Sequence, residues 1–126
     1  MNDKHKLAEF AKSFENLKII LLESNTPIVR DAAIKRYELC YELAWKSVQE
    51  KLKGEGLEIG KSPKNCFKQA FEQGWIEDEK IFAEMIQNRN LTTHTYNEDL
   101  AQEIYTNLGN YLSQFEFLLT KLVVVD

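Results

Sequence analysis

Residues 26–56, TPIVRDAAIKRYELCYELAWKSVQEKLKGEG, predict the longest helix of the protein. Thr26 is a favourable N-cap and Pro27 suits the first helical position, whereas Gly54 and Gly56 end the helix after about Lys53. Apolar side chains recur at helical spacing on one face, namely Ile34, Tyr37, Tyr41, Ala44, Trp45, Val48 and Leu52. Charged side chains occupy the opposite face, namely Asp31, Lys35, Glu38, Glu42, Lys46 and Glu50. We therefore expect one face of this helix to pack in a core and the other to contact water.

Four further helices are predicted around this stretch. The first runs from about Asp3 to Glu23, and the third is a short helix that Ser62 caps and Pro63 begins. It presents three apolar side chains, Phe67, Ala70 and Phe71. Gly74 closes it at about Gln73, and Trp75 and Ile76 plug the edge of the core. Asp78 caps a fourth helix, and a fifth runs from about Tyr96 to Val123. Three long amphipathic helices and two short ones, without a convincing alternating strand, predict an all-α antiparallel bundle of the four-helix up-and-down type.

The composition, the net charge and the cysteine spacing exclude several classes of function. The 126 residues are expected to form a single domain, and the net charge of −4 lacks the basic surface that drives non-specific nucleic-acid binding. Cys40 and Cys66 are isolated, which indicates neither a disulfide framework nor a zinc site. No apolar run reaches membrane-spanning length, and the charged N-terminus lacks the apolar core of a signal peptide. We expect a cytoplasmic protein with no membrane association, no metal and no cofactor.

Chemically capable residues concentrate in residues 88–97, NRNLTTHTYN. Arg89 is permanently cationic, His94 exchanges protons near neutral pH and Tyr96 offers a phenol. Residues 92–95 are poor helix formers, so the fourth helix should loosen there. Thr95 with Glu98 three residues later forms a capping box, which predicts that the fifth helix begins at Tyr96.

Arg89 and His94 would point about 140° apart on a continuous helix, because they are five residues apart. A bend near Thr92 changes that geometry, and in a symmetric dimer two copies of the stretch can face each other. Such a pair suits metal-independent RNA cleavage, in which His is the general base or acid and Arg stabilises the charged phosphate. From the spacing alone, a structural cluster without chemistry is the commoner outcome. Glu38 and Glu42 form a carboxylate pair, but without a second pair they indicate a solvated face rather than a metal site.

The arrangement Arg89-Asn90-x-x-x-His94-x-Tyr96 resembles the signature of the HEPN family, and its His-x-Tyr extension resembles the HepT-type toxins. Further segments are similar to one branch, the nucleotidyltransferase substrate-binding proteins. These segments are RYELCYELAWK at residues 36–46, Ser62-Pro63-Lys64, Gly74-Trp75-Ile76 and residues 88–96. They follow in the expected order and span most of the chain.

The resemblance implies a helical homodimer with the Arg/His motifs near its cleft, and a separate minimal nucleotidyltransferase chain as partner. In the substrate-binding branch the subunit holds or presents a substrate to that partner. In the toxin branch it is an RNase using Arg89 and His94, and the partner neutralises it by transferring AMP to the residue that corresponds to Tyr96. Asn90 and Thr93 fit as supporting residues. No nucleotidyltransferase signature occurs in this chain, so we expect no such activity of its own.

Two functions remain open at this point. An accessory substrate-binding subunit agrees with the acidic charge, since an RNase that acts on many sequences gains from a basic surface. A HepT-type toxin agrees with the intact motif and would bind RNA or a nucleotide there. We place the accessory subunit slightly ahead. A helical interaction module that retains an unused motif is a third possibility.

Overall fold

The computed structural model describes residues 5–123, and every regular element within them is a helix. The helices are α1 (His5–Ile20), α2 (Pro27–Gly54), α3 (Pro63–Glu72), α4 (Glu79–Thr92) and α5 (Glu98–Leu122). This confirms the all-α prediction of three long and two short helices. The predicted start of the first helix at Asp3 lies outside the described residues. None of the helices in residues 5–123 combines the length and apolarity needed to cross a membrane.

The four longer helices alternate in direction. The backbone N–H of Lys6 donates to Oε1 of Glu50 at 3.3 Å, so the start of α1 lies at the end of α2. Arg30 and Glu98 form an ion pair at 2.7 Å, which places the starts of α2 and α5 together. α4 runs back toward that end, since Thr92 in its last turn contacts Glu38 of α2. The result is an up-and-down bundle of α1, α2, α4 and α5, with α3 in the connection between α2 and α4.

The core lies between these helices and is rich in aromatic side chains. The rings of Tyr37 and Tyr111 stack at 5.5 Å between centroids and so join α2 to α5. The predicted stripe of α2 is buried apart from Trp45, which is half-buried against the core. Trp75 and Ile76 are buried, as predicted. Of the three apolar side chains that the third helix was predicted to present, Phe67 and Ala70 are buried, whereas Phe71 is 44% exposed.

The short helix α3 explains the position of Phe71. Its buried stripe runs through Cys66, Phe67 and Ala70, and Phe71 lies beside that stripe at the surface. The neighbouring end of the helix is as predicted. Gly74 has a φ of +79°, a left-handed conformation that other residues adopt only at a cost, and it turns the chain after α3.

Three helix starts follow the predicted caps. The side chains of Thr26, Ser62 and Asp78 accept hydrogen bonds from backbone N–H groups three residues later, at 3.2, 3.2 and 3.1 Å. The end of α1 differs from the prediction, since the helix stops at Ile20 rather than Glu23. The N–H groups of Leu22 and Glu23 bond to carbonyls only three residues back, which tightens the chain into a turn.

The start of α5 also differs from the prediction. The helix begins at Glu98 and its N-cap is Asn97, whose Oδ1 accepts from the N–H of Leu100 at 2.9 Å. Thr95 is not the cap because its N–H donates to the carbonyl of Leu91 at 2.9 Å. That bond keeps Thr95 in the turn that closes α4. Five residues therefore separate α4 and α5, a turn at residues 93–94 followed by residues 95–97 without regular structure.

Candidate functional site

The predicted motif lies at the bend between α4 and α5. α4 ends at Thr92, as its β-branched residues predicted, and Thr93 follows as the C-cap. The hydroxyl of Thr93 donates to the carbonyl of Asn90 at 2.6 Å, and both residues are exposed. The N–H of His94 donates to the carbonyl of Leu91 at 3.1 Å, while the imidazole is exposed to solvent. The two predicted supporting residues thus stabilise the helix end that leads to His94.

Asn88 fixes the last turns of α4 against two other helices. Its Oδ1 accepts from the phenol of Tyr37 at 2.8 Å, and its Nδ2 donates to the phenol oxygen of Tyr111 at 3.0 Å. The Tyr111 hydroxyl in turn donates to Glu84. Burial raises the pKa of both Tyr37 and Tyr111 well above the usual tyrosine range, so both phenols remain protonated donors. The residue directly before Arg89 is therefore anchored to α2 and α5 at once.

Arg89 lies against the outer face of α2. Its Nη1 donates to Oγ1 of Thr92 at 3.4 Å. The single proton of that hydroxyl has two acceptors in range, the carbonyl of Arg89 at 2.9 Å and Oε2 of Glu38 at 3.1 Å. The guanidinium borders an open cavity of about 310 Å³ together with Leu39 and four charged residues of α2. Nε of Arg89 is buried and has no hydrogen-bond partner among residues 5–123.

Glu38 corrects one prediction about α2. Its side chain is only 18% exposed, because α4 packs over it, so the predicted solvated face is wrong at this position. Lys35 stays exposed beside it, with Nζ at 3.9 Å from the Glu38 carboxylate. Part of the charged face of α2 is therefore covered by Arg89 and Thr92 at the end of α4.

Tyr96 reaches the same face of α2 nearer its start. Its phenol donates to Oδ1 of Asp31 at 2.7 Å, and its side chain is 51% exposed beside a cavity of about 210 Å³. The pKa of Tyr96 is raised to about 12, first by burial and then by the hydrogen bond to Asp31 and the charges of Asp31, Glu38 and Glu98. The phenol is therefore protonated at neutral pH and donates its proton in a hydrogen bond to the Asp31 carboxylate.

Two of the three motif residues lie against α2. Tyr96 bonds to Asp31 and Arg89 lies beside Glu38, and these two positions are seven residues apart, or about 10 Å along the helix axis. His94 lies in the turn that follows α4. Within residues 5–123, no hydrogen bond links the His94 side chain to that of Arg89 or Tyr96.

Sequence reasoning did not identify Asp31 and Glu38 as parts of this site, and it included Asn88 in the stretch 88–97 without predicting its bonds to Tyr37 and Tyr111. Asp31 and Glu38 share a helix face at a spacing of two turns, but their contacts are 65 and 54 residues away in the chain. Nothing local distinguishes them from solvated carboxylates. Within residues 5–123, the structure contains no cluster of three or more His, Cys, Asp and Glu side chains placed to hold a metal ion.

Comparison with protein families gives a match across nearly the whole chain. A family model described as nucleotidyltransferase substrate binding protein like matches residues 5–124. A Haemophilus influenzae protein named probable ribonuclease HepT is 30% identical over 94 residues. The matched region covers 71% of this chain and 64% of that protein, so it leaves about a third of the relative unmatched.

Comparison with solved structures supports the helical fold. A Thermus thermophilus protein is 39% identical, with a TM-score of 0.83 over 91% of this chain and 99% of that one. A Haemophilus influenzae protein, described as showing the fold of a substrate binding domain of a nucleotidyltransferase, is 23% identical. Its TM-score is 0.79 over 92% of this chain and 98% of that one. A tri-AMPylated HEPN toxin of Shewanella oneidensis, in complex with an MNT antitoxin, is 19% identical with a TM-score of 0.74 over 95% and 96%.

Proposed function

The chain belongs to the HEPN-related family of nucleotidyltransferase substrate-binding-like proteins, and on that premise we propose that it is the accessory subunit of a two-component nucleotidyltransferase system. The catalytic nucleotidyltransferase is a separate chain that binds the surface around the α4–α5 bend. Arg89, His94 and Tyr96 form the face presented to that partner or to its substrate. We further propose that the subunit acts as a homodimer.

The observation that carries this proposal is the exposed Tyr96 phenol resting on a carboxylate, in a chain with a net charge of −4. Tyr96 donates to Asp31, which forms no salt bridge among residues 5–123, whereas Glu98 in the same cavity is paired with Arg30. A polyanion such as RNA is repelled by such a surface, whereas a protein partner with basic groups is attracted. The exposed His94 and Tyr96 side chains are accessible to that partner.

Two similar proteins suggest the kind of partner. The Haemophilus influenzae structure is described as a substrate binding domain of a nucleotidyltransferase, and the Shewanella oneidensis HEPN toxin is bound to an MNT antitoxin. Because that toxin is tri-AMPylated, we propose a phenol of this chain, Tyr96, as an acceptor of AMP from the partner. The partner would supply the nucleotide, and this chain would supply the acceptor.

Isothermal titration calorimetry with a minimal nucleotidyltransferase from the same genome tests the accessory role. We expect a complex with the wild-type chain, at least tenfold weaker binding for Tyr96→Ala, and binding within about twofold of wild type for His94→Ala. Gln102→Ala, at an exposed position of α5, is the control and should bind as wild type does. Absence of any complex at micromolar concentrations would contradict the proposal.

A metal-independent ribonuclease is the second candidate function. The observation that favours it is the 30% identical relative named probable ribonuclease HepT, together with the presence of both Arg89 and His94 in the motif. In that mechanism His94 removes the proton of a 2′-hydroxyl or protonates the leaving oxygen, and Arg89 stabilises the charged phosphate. AMP transfer to Tyr96 would then block the cleft.

RNA cleavage in EDTA separates the two functions. The ribonuclease function predicts cleavage by the wild-type chain that His94→Ala abolishes, with Tyr96→Phe still active because phenylalanine leaves the cleft open. The accessory function predicts no cleavage by any of the three. The intact mass of each preparation must first show that Tyr96 is unmodified, since a modified wild-type chain would be inactive under either function.

A further inference from the structure

The contact between Tyr96 and Asp31 has the geometry of a nucleophile beside a base. The phenol oxygen lies 2.7 Å from Oδ1 of Asp31, within the distance required for proton transfer. Half of the Tyr96 side chain remains exposed, and the cavity beside it is open to solvent. An electrophile can therefore approach the phenol oxygen while Asp31 holds its proton.

We propose that Asp31 is the general base that activates Tyr96 for nucleotidyl transfer, a step that rests on the proposed role of Tyr96 as acceptor. The phenol oxygen attacks the α-phosphorus of a nucleoside triphosphate carried by the partner. An oxygen–phosphorus bond forms, and the bond between the α-phosphorus and the departing pyrophosphate breaks. The phenolic proton passes to the Asp31 carboxylate, and pyrophosphate leaves with the electron pair of the broken bond.

Asp31 is the carboxylate suited to this role because its charge is not engaged elsewhere. Within residues 5–123 it forms no salt bridge and accepts a hydrogen bond only from Tyr96. Glu98, which lines the same cavity, instead accepts a hydrogen bond from Arg30 at 2.7 Å. Glu38 accepts from Thr92 and lies two turns away along α2. Neither of these carboxylates contacts the phenol.

A base is needed because the phenolate form is scarce. With a pKa of about 12, Tyr96 is almost fully protonated at neutral pH, and a neutral phenol is a weak nucleophile. Removing the proton during the attack overcomes this, and general bases typically contribute about 10²–10⁴-fold to a rate. After transfer, the aryl phosphodiester has no proton to donate, so the contact with Asp31 is lost and the new negative charge faces a carboxylate.

This step can be tested without the partner chain by using adenosine 5′-phosphorimidazolide, an activated form of AMP that reacts without an enzyme. In this reaction the phosphorus–nitrogen bond breaks and imidazole leaves. The rate of AMP addition to the peptide containing Tyr96 is followed by mass spectrometry, with Tyr96→Phe identifying the site. We expect Asp31→Asn to react at least tenfold more slowly than wild type. Asparagine keeps an acceptor oxygen that positions the phenol and removes the basicity together with the negative charge.

Asp99→Asn is the matched control, since it makes the same change of charge at an exposed residue near Tyr96. We expect its rate to stay within about twofold of wild type. If Asp31 only kept the phenol protonated, Asp31→Asn would raise the fraction of phenolate and react faster than wild type. A faster or an unchanged rate would therefore overturn the proposal.

The pH dependence gives a second readout that a merely structural role would not change. Imidazole leaves the reagent only after taking up a proton, so the reagent itself reacts more slowly as the pH rises. This effect is the same for both proteins and cancels in the ratio of the Asp31→Asn rate to the wild-type rate. Without a general base only the phenolate reacts, so this ratio should rise between pH 7 and 9. Parallel profiles for the two proteins would contradict general-base catalysis even if their rates differ.

A parallel reaction with the nucleotidyltransferase and ATP separates this inference from the proposed function. No transfer to the wild-type chain would show that Tyr96 is not the acceptor, whereas the difference in chemical labelling would still support Asp31 as its base. Transfer to wild type and Asp31→Asn at equal rates would leave Tyr96 as the acceptor and remove Asp31 from the mechanism.

Discussion

Asn88 shows how one side chain positions another at this site. Its amide bonds to the phenols of Tyr37 and Tyr111, which belong to different helices and stack on each other. An amide suits this position because it donates to one oxygen and accepts from the other. The backbone of Arg89 follows directly, so the direction of the guanidinium depends on this pair of bonds.

Replacing Asn88 tests that dependence at the level of one residue. We expect Asn88→Ala to lower the free energy of unfolding by about 1–3 kcal/mol, because two largely buried phenols each lose a hydrogen-bond partner. Asn90→Ala is the matched control on the same helix, and its exposed position predicts a change within about 0.5 kcal/mol. Urea unfolding measures both. Equal values for the two variants would show that the network adds no stability.

Tyr96 gives a second prediction at this scale, through its titration. Its pKa of about 12 exceeds the ordinary value of 10.0, since burial and the bond to Asp31 disfavour the phenolate in the folded state. Its contribution to stability is therefore complete below pH 10 and is lost as the pH rises from 10 toward 12. The difference in ultraviolet absorbance between wild type and Tyr96→Phe should titrate with a midpoint near pH 12. In an Asp31→Asn background the midpoint should move toward 10.

At the scale of secondary-structure elements, two substitutions test whether Asn97 or Thr95 caps α5. Asn97→Ala should lower the free energy of unfolding by about 1 kcal/mol, because the N–H of Leu100 loses its acceptor. Thr95→Ala should change it by less than about 0.5 kcal/mol, since the backbone bond from Thr95 to Leu91 remains. Thermal unfolding followed by circular dichroism measures both. The reverse order would restore the capping box at Thr95.

The starts of the helices show what local sequence rules can and cannot predict. Thr26 and Ser62 each precede a proline, so a single N-cap was favoured for α2 and another for α3. Both helix starts were predicted correctly. Between Thr92 and Glu98 the capping box predicted Thr95 as the cap, but a backbone bond holds Thr95 in the turn of α4 and Asn97 caps α5 instead. The Tyr96–Asp31 contact joins residues 65 positions apart. Only the packing of α2 beside the bend creates it, and no local pattern signals that packing.

At the scale of the whole molecule, exposed apolar side chains flank the motif. Leu39 of α2 is 54% exposed and lines the cavity that Arg89 borders, and Leu91 of α4 is 48% exposed. Within one chain, no hydrogen bond among residues 5–123 joins Arg89 to His94. A second chain seated on this surface would cover the leucines and place a second motif opposite the first, as the proposed homodimer requires.

Leu39→Glu tests the homodimer. The wild-type chain should elute with a mass about twice its 14.7 kDa in size-exclusion chromatography with light scattering. We expect Leu39→Glu to shift the mass toward that of one chain, because a charge buried in the interface without a partner costs several kcal/mol. Phe71→Glu makes the same kind of change at an exposed apolar residue of α3, away from Arg89, and should leave the mass unchanged. A monomeric wild type, or a Leu39→Glu variant that remains dimeric, would exclude this surface as the interface, and Arg89 would then have to act without a second motif.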